Sequence, residues 1–460
     1  YTTYEKIVKN EVSGIRKSST VFVINESRML ARASMPRSVG ICSKITHEDI
    51  FGFQYNGLFR KNAFFSSMHD EVAALVDEYS IKDQTSVSLQ LLSKSGRGEM
   101  LSRTGEKSNQ KFASEQILIQ AANFIRREMP IRLARRIKDL DRVPLMKDMV
   151  SVRAVKDIYI SSFLTLVKEP AVDSLVRESL FARKLEILYE RHSSVLVQMA
   201  RGAYELRDAV QRGEVDGLGI SVDGNVFADF ELMHDLHSFL DRFYMSRIGI
   251  RVLASQYLAL RDPALDGYVG IICQNTSPYD VVKHAVNDAA YMCNRKFGRV
   301  PEVNINGRID LTFAYIPTHL HYILLELLKN AMRATIEHHG IDTIRLPPVE
   351  VIIADGSENE DVVIKIVDEG GGIPRSHMKK IWSYLFTTAD PSIQRGIVGL
   401  NTGIDHSVEA PLAGLGYGLP ISRSYSKYFG GDLNLMSIEG YGTDAFVYLK
   451  RLGDKHEPIV

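Results

Sequence analysis

The stretch LLELLKNAMRATIEHHG, Leu324 to Gly340, carries four polar groups inside an apolar run: a carboxylate at Glu326, an ammonium at Lys329, an amide at Asn330 and a guanidinium at Arg333. Leu, Ala, Met, Glu, Lys and Arg dominate it and a Gly closes it, so it reads as a helix. A helix turns about 100° per residue, which places positions 326, 329, 330, 333 and 337 on one face. Leu324, Leu328, Ala331 and Thr335 take the opposite, packing face. Groups that take up protons, donate hydrogen bonds and carry charge are thus set side by side. The plainer reading is a solvated amphipathic helix laced by i,i+3 and i,i+4 charge pairs.

Three further stretches bear on that choice. VDEGGGIP places Asp368, Gly370, Gly371 and Gly372 directly after an apolar strand. The glycines permit positive φ and the close approach of a backbone or a flat ligand, and the Asp can accept a hydrogen bond from an exocyclic amine such as that of adenine. GLGYGLPISR runs Gly414, Gly416 and Gly418 into a helix, whose first N–H groups and positive dipole end suit phosphates. No βαβ unit surrounds it and no Gly-Lys-Ser/Thr follows, so it is neither a Rossmann fingerprint nor a Walker loop. Phe386 to Gly414 has no strong period; it is either a plain surface loop or a lid. GTDAF sets Thr443 at a strand turn, where its hydroxyl can meet a base edge.

The elements that must position these groups fall into two textures. From about 112 to 262 the period is helical, with breaks expected at Pro130 and Pro170 and one long helix expected through SLFARKLEILYERHSSVLVQMARGAYELRDAV. This predicts an antiparallel helical bundle. From about 268, β-branched alternation in VEVIIADG, DVVIKIVD and GDLNLMSIEGYGTDAFVYLKRL predicts strands, with helices over 279–296 and 317–338. The fold class is α+β, a mixed sheet with helices on one face. Residues 1–65 hold ten Lys/Arg against five acids and show no sustained period, so they are expected to be a basic extension of unknown role. Residues 66–265 are expected to be the helical domain and 266–460 the layered one.

Composition excludes rather than identifies. Lys+Arg and Asp+Glu are 56 each, so nothing points to nucleic acid or an anionic membrane as the main partner. The three cysteines, Cys42, Cys273 and Cys293, are far apart, which fits a reducing compartment and gives neither a disulfide framework nor zinc spacing. No apolar run approaches a membrane span. The chain starts at Tyr1 rather than Met, the expectation for a processed start; a targeting segment removed by cleavage would not be part of this sequence.

Taken in order, a helix with Glu and Asn, Asp-x-Gly-x-Gly, a loop ending in GxGxG and a late Gly-Thr resemble the Bergerat-type ATP-binding fold of sensor histidine kinases, type II topoisomerases, heat-shock chaperones and mismatch-repair ATPases. ELLKNAMRAT, DEGGGIP, GLGYGLPISRSYSKYFGGDL and GTDAFVYLK resemble the mitochondrial 2-oxo-acid dehydrogenase kinases in particular. REMPIRLARRIKDL, DRFYMSRIGIRVLASQYLAL and the segment from VGIICQNTSPYDVV to VNINGRIDLTFAYIP extend the resemblance over roughly residues 70 to 452. The latter segments look most like the branched-chain member; GLGYGLPISR looks closer to the pyruvate members.

The resemblance implies an N-terminal helical bundle followed by a Bergerat-type α/β sandwich, and an ATP- and Mg²⁺-dependent serine kinase that inactivates the E1 subunit of a mitochondrial dehydrogenase. Glu326 would orient or deprotonate the acceptor hydroxyl, Asn330 would ligate Mg²⁺, and Lys329 and Arg333 would face phosphate. Asp368, with Gly370 and Gly372 beside it and Thr443 opposite, would read adenine. Thr387 and Thr388 would open the lid, and Gly414, Leu415, Gly416, Tyr417, Gly418 and Leu419 would cradle the triphosphate. The family also implies K⁺ on the carbonyls of Ile381, Ser383 and Phe386, a lipoyl-bearing E2 core as docking partner, a homodimer and the mitochondrial matrix. Glu369 departs from the family's Arg, and Tyr322 stands where pyruvate-type members carry His. His192, the best placed phospho-acceptor for a histidine autokinase, lacks the acidic neighbour and the following Arg-Pro, and reads as structural or regulatory. A third reading is a kinase-like subunit of a larger mitochondrial assembly that retains its nucleotide site.

Overall fold

The computed structural model describes residues 63–99, 110–143, 145–212, 234–263, 265–356, 358, 360–384, 386 and 416–459. Ser66–Val460 form one compact unit. The basic extension through residue 62 and the stretch 387–415 lie outside the described residues, and with them Thr387, Thr388, Gly414 and Leu415.

Helices come first: α1 Ala63–Ser80, α2 Leu89–Gly96, α3 Gln110–Arg142, α4 Val150–Val167, α5 Leu175–Arg191, α6 Val195–Gln211 and α7 His234–Leu260. Helix α3 packs on α4, α5 and α7, and α4 packs on α6. The large side chains between them, Tyr159, Phe163, Phe181, Phe243 and Tyr257, are fully buried. Two expectations need correcting. Pro130 does not interrupt α3, which runs unbroken through it. An interior Pro costs about 3 kcal/mol, and Pro130 is buried between Met129 and Arg132, Leu133 and Ala134, which are buried too. Packing on both sides of the proline outweighs the lost hydrogen bond. Conversely, the single helix expected from Ser179 to Val210 is two, α5 and α6. His192 ends α5 because its ring turns into the core, where Nε2 meets Ser162 Oγ at 2.9 Å and the ring packs edge-on to Tyr159.

The layered part follows as β1 Tyr268–Val269, β2 Ile272–Thr276, α8 Pro278–Phe297, β3 Val303–Gly307, β4 Phe313–Tyr315, α9 Pro317–His339, β5 Val349–Asp355, β6 Asp361–Asp368, α10 Gly418–Tyr428, β7 Asp432–Ile438 and β8 Gly442–Lys450. Local chemistry sets the helix ends. Ser277 caps α8 by accepting from Asp280 N–H, Pro278 occupies its first turn, and Gly298 closes it in the left-handed region. The main sheet has the order β3-β5-β6-β8-β7. β3 pairs parallel with β5 and the other pairs are antiparallel, so the sheet is mixed as expected. Val362, Ile364 and Ile366 alternate inward along β6, on which α9 packs. Helix α8 packs on α9, and α10 packs on β7 and β8. The expected α+β class, helices followed by a helix-on-sheet ATP-type domain, is the one observed. No helix among the described residues is long and apolar enough to cross a membrane.

The two parts are tied by a buried ionic cluster. Arg132 of α3 donates to Glu128 Oε1 at 2.9 Å, to Thr85 O at 2.8 Å and to Glu457 Oε2 at 3.0 Å, and pairs again with Glu457 Oε1. Tyr428, the last residue of α10, donates to the same Glu457 carboxylate. Burial works against the guanidinium charge, but Glu457 and Glu128 outweigh it and raise the Arg132 pKa further above its ordinary value. Glu457 N–H in turn donates to Val87 O, so the segment after β8 is stitched beside α2.

Candidate nucleotide and phosphoryl-transfer site

Helix α9 presents Glu326, Asn330 and Arg333 along one side, as the spacing predicts; all three are half-buried. Lys329 is a correction. It was expected on that open face, yet it is buried, its ammonium 2.7 Å from Glu326 Oε1. Position 329 borders the apolar stripe of Leu327, Leu328 and Met332, so its aliphatic stem packs and only the charged tip reaches the carboxylate. Lys329 therefore faces Glu326 rather than an open phosphate position. Arg333 Nε lies 3.5 Å from Glu337. Asn330's amide has no hydrogen-bond partner among the described residues, which leaves its oxygen available as a hard ligand. Among the described residues there is no group of three or more His, Cys, Asp or Glu that could hold a metal ion.

Asp368 ends β6 and is buried. Its Oδ1 accepts from Gly370 N–H at 2.9 Å. Burial pushes the carboxyl up to about 6, against the opposing hydrogen bonds from the Gly370 and Thr443 main chain. Thr443 is its direct partner across β8. The glycine run beside it admits protein, not open space. A Cβ on Gly370 would lie 2.5 Å from Ala334 Cβ of α9, and one on Gly372, at φ +68°, would lie 2.1 Å from Ile438 O. Ser437 is a residue that sequence reasoning missed. Its hydroxyl accepts from Ile373 N–H at 2.7 Å and stands 3.0 Å from Thr443 Oγ1, fixing the threonine's orientation. A lone Ser in a strand gives no signal of this. Glu369 is exposed, with its carbonyl 2.8 Å from His339 Nε2.

The glycine turn meets both ends of the site. Gly416, at φ +70°, lies against Phe386, where a Cβ would come within 2.5 Å of the carbonyl oxygen. Gly418 opens α10 and faces Glu326 Oε2. The side chain of Tyr417 is buried against Tyr244 of α7 and Tyr384, so only its main chain is available to a phosphate. Leu419 is half-buried and packs against the core. Ile381 and Ser383 are buried, and Ser383 O accepts from Phe386 N–H at 3.4 Å in the turn that precedes the glycines. Neutral carbonyls of this kind suit a large monovalent cation by their chemistry, and Ile381, Ser383 and Phe386 would supply them. The structure thus brings Glu326, Lys329, Gly418 and Asn330 to one edge of α9, and Asp368, Thr443 and Gly372 to the sheet beneath its far end.

A family model described as mitochondrial branched-chain alpha-ketoacid dehydrogenase kinase matches residues 98–273, and one described as histidine kinase-, DNA gyrase B- and HSP90-like ATPase matches residues 315–452. The chain is 40% identical over 349 residues to the mitochondrial pyruvate dehydrogenase (acetyl-transferring) kinase of Arabidopsis thaliana, covering 75% of this chain and 88% of that protein. It is 35% identical over 393 residues to the Schizosaccharomyces pombe kinase of the same name, covering 74% and 91%. It is 38% identical over 344 residues to the human mitochondrial isozyme 4, covering 72% and 77%.

Proposed function

The chain belongs to the family of mitochondrial 2-oxo-acid dehydrogenase kinases, and we propose that it transfers the γ-phosphoryl group of ATP to a serine hydroxyl on the E1 subunit of such a complex and thereby switches that enzyme off. The observation that carries the reading is the edge of α9. There one carboxylate stands between a buried ammonium and the first residue of the α10 helix, with an available amide one turn further on. The acceptor oxygen attacks phosphorus in line, its proton passes to Glu326, and the bond from phosphorus to the bridging oxygen breaks to release ADP. Lys329 holds Glu326 in place and balances its charge. The first N–H groups of α10 face the phosphates, and Asp368 accepts from the adenine amine. Mg²⁺, held by Asn330, would neutralise phosphate charge when bound.

The five-stranded sheet has α9 and α10 on one face. Its other face carries Ile352, Lys365, Met436, Phe446 and Tyr448, exposed or half-buried, and suits a second copy of the chain. The working location is the mitochondrial matrix and the docking partner a lipoyl-bearing core. His192 is buried, and its pKa is lowered to about 3 by burial and then by Arg247, which speaks against a phospho-acceptor histidine. Incubation of the purified chain with labelled ATP and purified pyruvate and branched-chain E1 proteins tests the proposal. Acid-stable label on one E1 supports it. Acid-labile label on the chain itself, or no transfer to either E1, overturns it.

A further inference from the structure

Described residues on either side of positions 387–415 meet one helix of the bundle. On α7, His237 and Asp241 stand one turn apart and grip consecutive residues. His237 Nε2 is 3.2 Å from Ser383 Oγ, and Tyr384 donates its phenol to Asp241 Oδ1 at 2.6 Å. Tyr384 is fully buried. Its ring packs on Tyr244 of the same helix, centroids 5.1 Å apart, and on Tyr417 at 5.5 Å; Tyr244 and Tyr417 also touch, at 5.9 Å. Three tyrosines from three segments thus pack on one another, Tyr384 and Tyr417 both against α7. Tyr417 precedes Gly418, which abuts the Glu326 carboxylate. Two residues past Tyr384, the Phe386 carbonyl abuts Gly416.

We propose that Asp241 is a positioning residue of the nucleotide site: by holding Tyr384 it sets the spacing of the Ser383–Phe386 turn and the Gly416–Gly418 turn, and so makes nucleotide affinity depend on the placement of helix α7. The inference rests on the kinase reading for the identity of the ligand, but it concerns binding rather than transfer. Among the described residues no hydrogen bond or ion pair joins Asp241 to Glu326, Lys329 or Asn330. Its carboxylate is exposed apart from the Tyr384 contact, so it has no core to support and its removal opens no cavity. The bond is charge-assisted, and charge-assisted bonds are about twice as strong as neutral ones. Its loss allows the Tyr384 ring to move and Tyr417 to move with it.

The test is the dissociation constant of Mg·ADP, measured by calorimetry on the full chain, beside the melting temperature. Tyr384→Phe keeps the ring packing and removes the hydroxyl, which meets Ser424 of α10 as well as Asp241; Asp241→Ala removes the Asp241 acceptor alone. Each is expected to weaken Mg·ADP by about tenfold, the effect of one charge-assisted hydrogen bond, and the double variant should be no weaker than either single one. Asp241→Asn keeps an acceptor oxygen and should restore affinity to within about twofold of wild type. A merely structural bond would lower the melting temperature in every variant and leave the dissociation constant alone, which would overturn the inference, as would additive losses in the double variant. Because Asp241 is exposed, its two variants decide the matter even where Tyr384→Phe fails to fold. A wild-type chain that binds no Mg·ADP overturns the kinase reading together with this one. Wild-type binding with unaffected variants overturns this one alone.

Discussion

Gly418 lies so close to Glu326 that a Cβ on it would sit 2.4 Å from the carboxylate Oε2. The obstructing atom is the far end of a flexible side chain, so Gly418→Ala should fold normally while the carboxylate swings away. Transfer to E1 should fall by about tenfold or more, since small misplacements of a reacting group are costly. Mg·ADP affinity and melting temperature should hardly move. An unchanged transfer rate would mean that the carboxylate need not stand where Gly418 lets it stand.

Glu326→Gln tests the proton rather than the position. The amide keeps the shape and can still meet Lys329, but it accepts no proton at neutral pH. Nucleotide should bind as before and transfer should fall by about 10²-fold, the usual size of a general-base contribution. Wild-type turnover would remove Glu326 from that role. Asn330→Ala should abolish Mg·ATP-dependent transfer with the fold intact; undiminished transfer would place the metal elsewhere.

Much of this was readable from one chain because it is local. Alternation in Asp361–Asp368, the Pro and Ser that start α8 and the spacing of Glu326 and Asn330 on α9 each follow from short-range rules. What stayed hidden depends on distant neighbours. Lys329 looks like a surface lysine until its stem is packed. Pro130 looks like a break until both flanks are buried. His192 looks like mid-helix until Ser162 captures it across 30 positions. The glycines at 370 and 372 read as ligand space, yet the approaching groups are Ala334 and the Ile438 carbonyl.

Asp368 should make nucleotide binding pH-dependent. Burial raises its pKa to about 6, so in the free protein it loses its charge as pH falls through that value. Adenine's amine bonds more strongly to the ionised carboxylate than to the neutral acid. Affinity should therefore be full at pH 7.5 and weaker at pH 5, by at most about tenfold, with Asp368→Asn flattening the profile. The same shift has the opposite sign for folding. The folded state binds this proton more tightly than the unfolded one, so its stabilising contribution is present below the unfolded pKa near 4 and is lost as pH rises through about 6. A titration in which affinity is level between pH 7.5 and pH 5 would show that the adenine contact does not rest on this carboxylate.

Arg132→Met should be the most damaging single change outside the site. It leaves Glu128 and Glu457 buried without their cation, and removing one partner of a buried pair costs about 3–5 kcal/mol. Denaturant unfolding checks this. A loss below about 1 kcal/mol would mean that the cluster contributes no more than a surface ion pair.

That cluster also bears on how the chain is made. Glu457 comes 325 positions after Arg132. As the polypeptide emerges from the ribosome, the helices around Arg132 appear long before the carboxylate that neutralises it and the tyrosine that binds that carboxylate. The early helices must wait with a charged side chain at the place where their core should close, open to water and to any chaperone that recognises unfinished helical surfaces. Contacts of such separation slow folding. The helical part is therefore completed only after the layered part that follows it has been made, and a chain that stops short of Glu457 leaves the bundle without its lock.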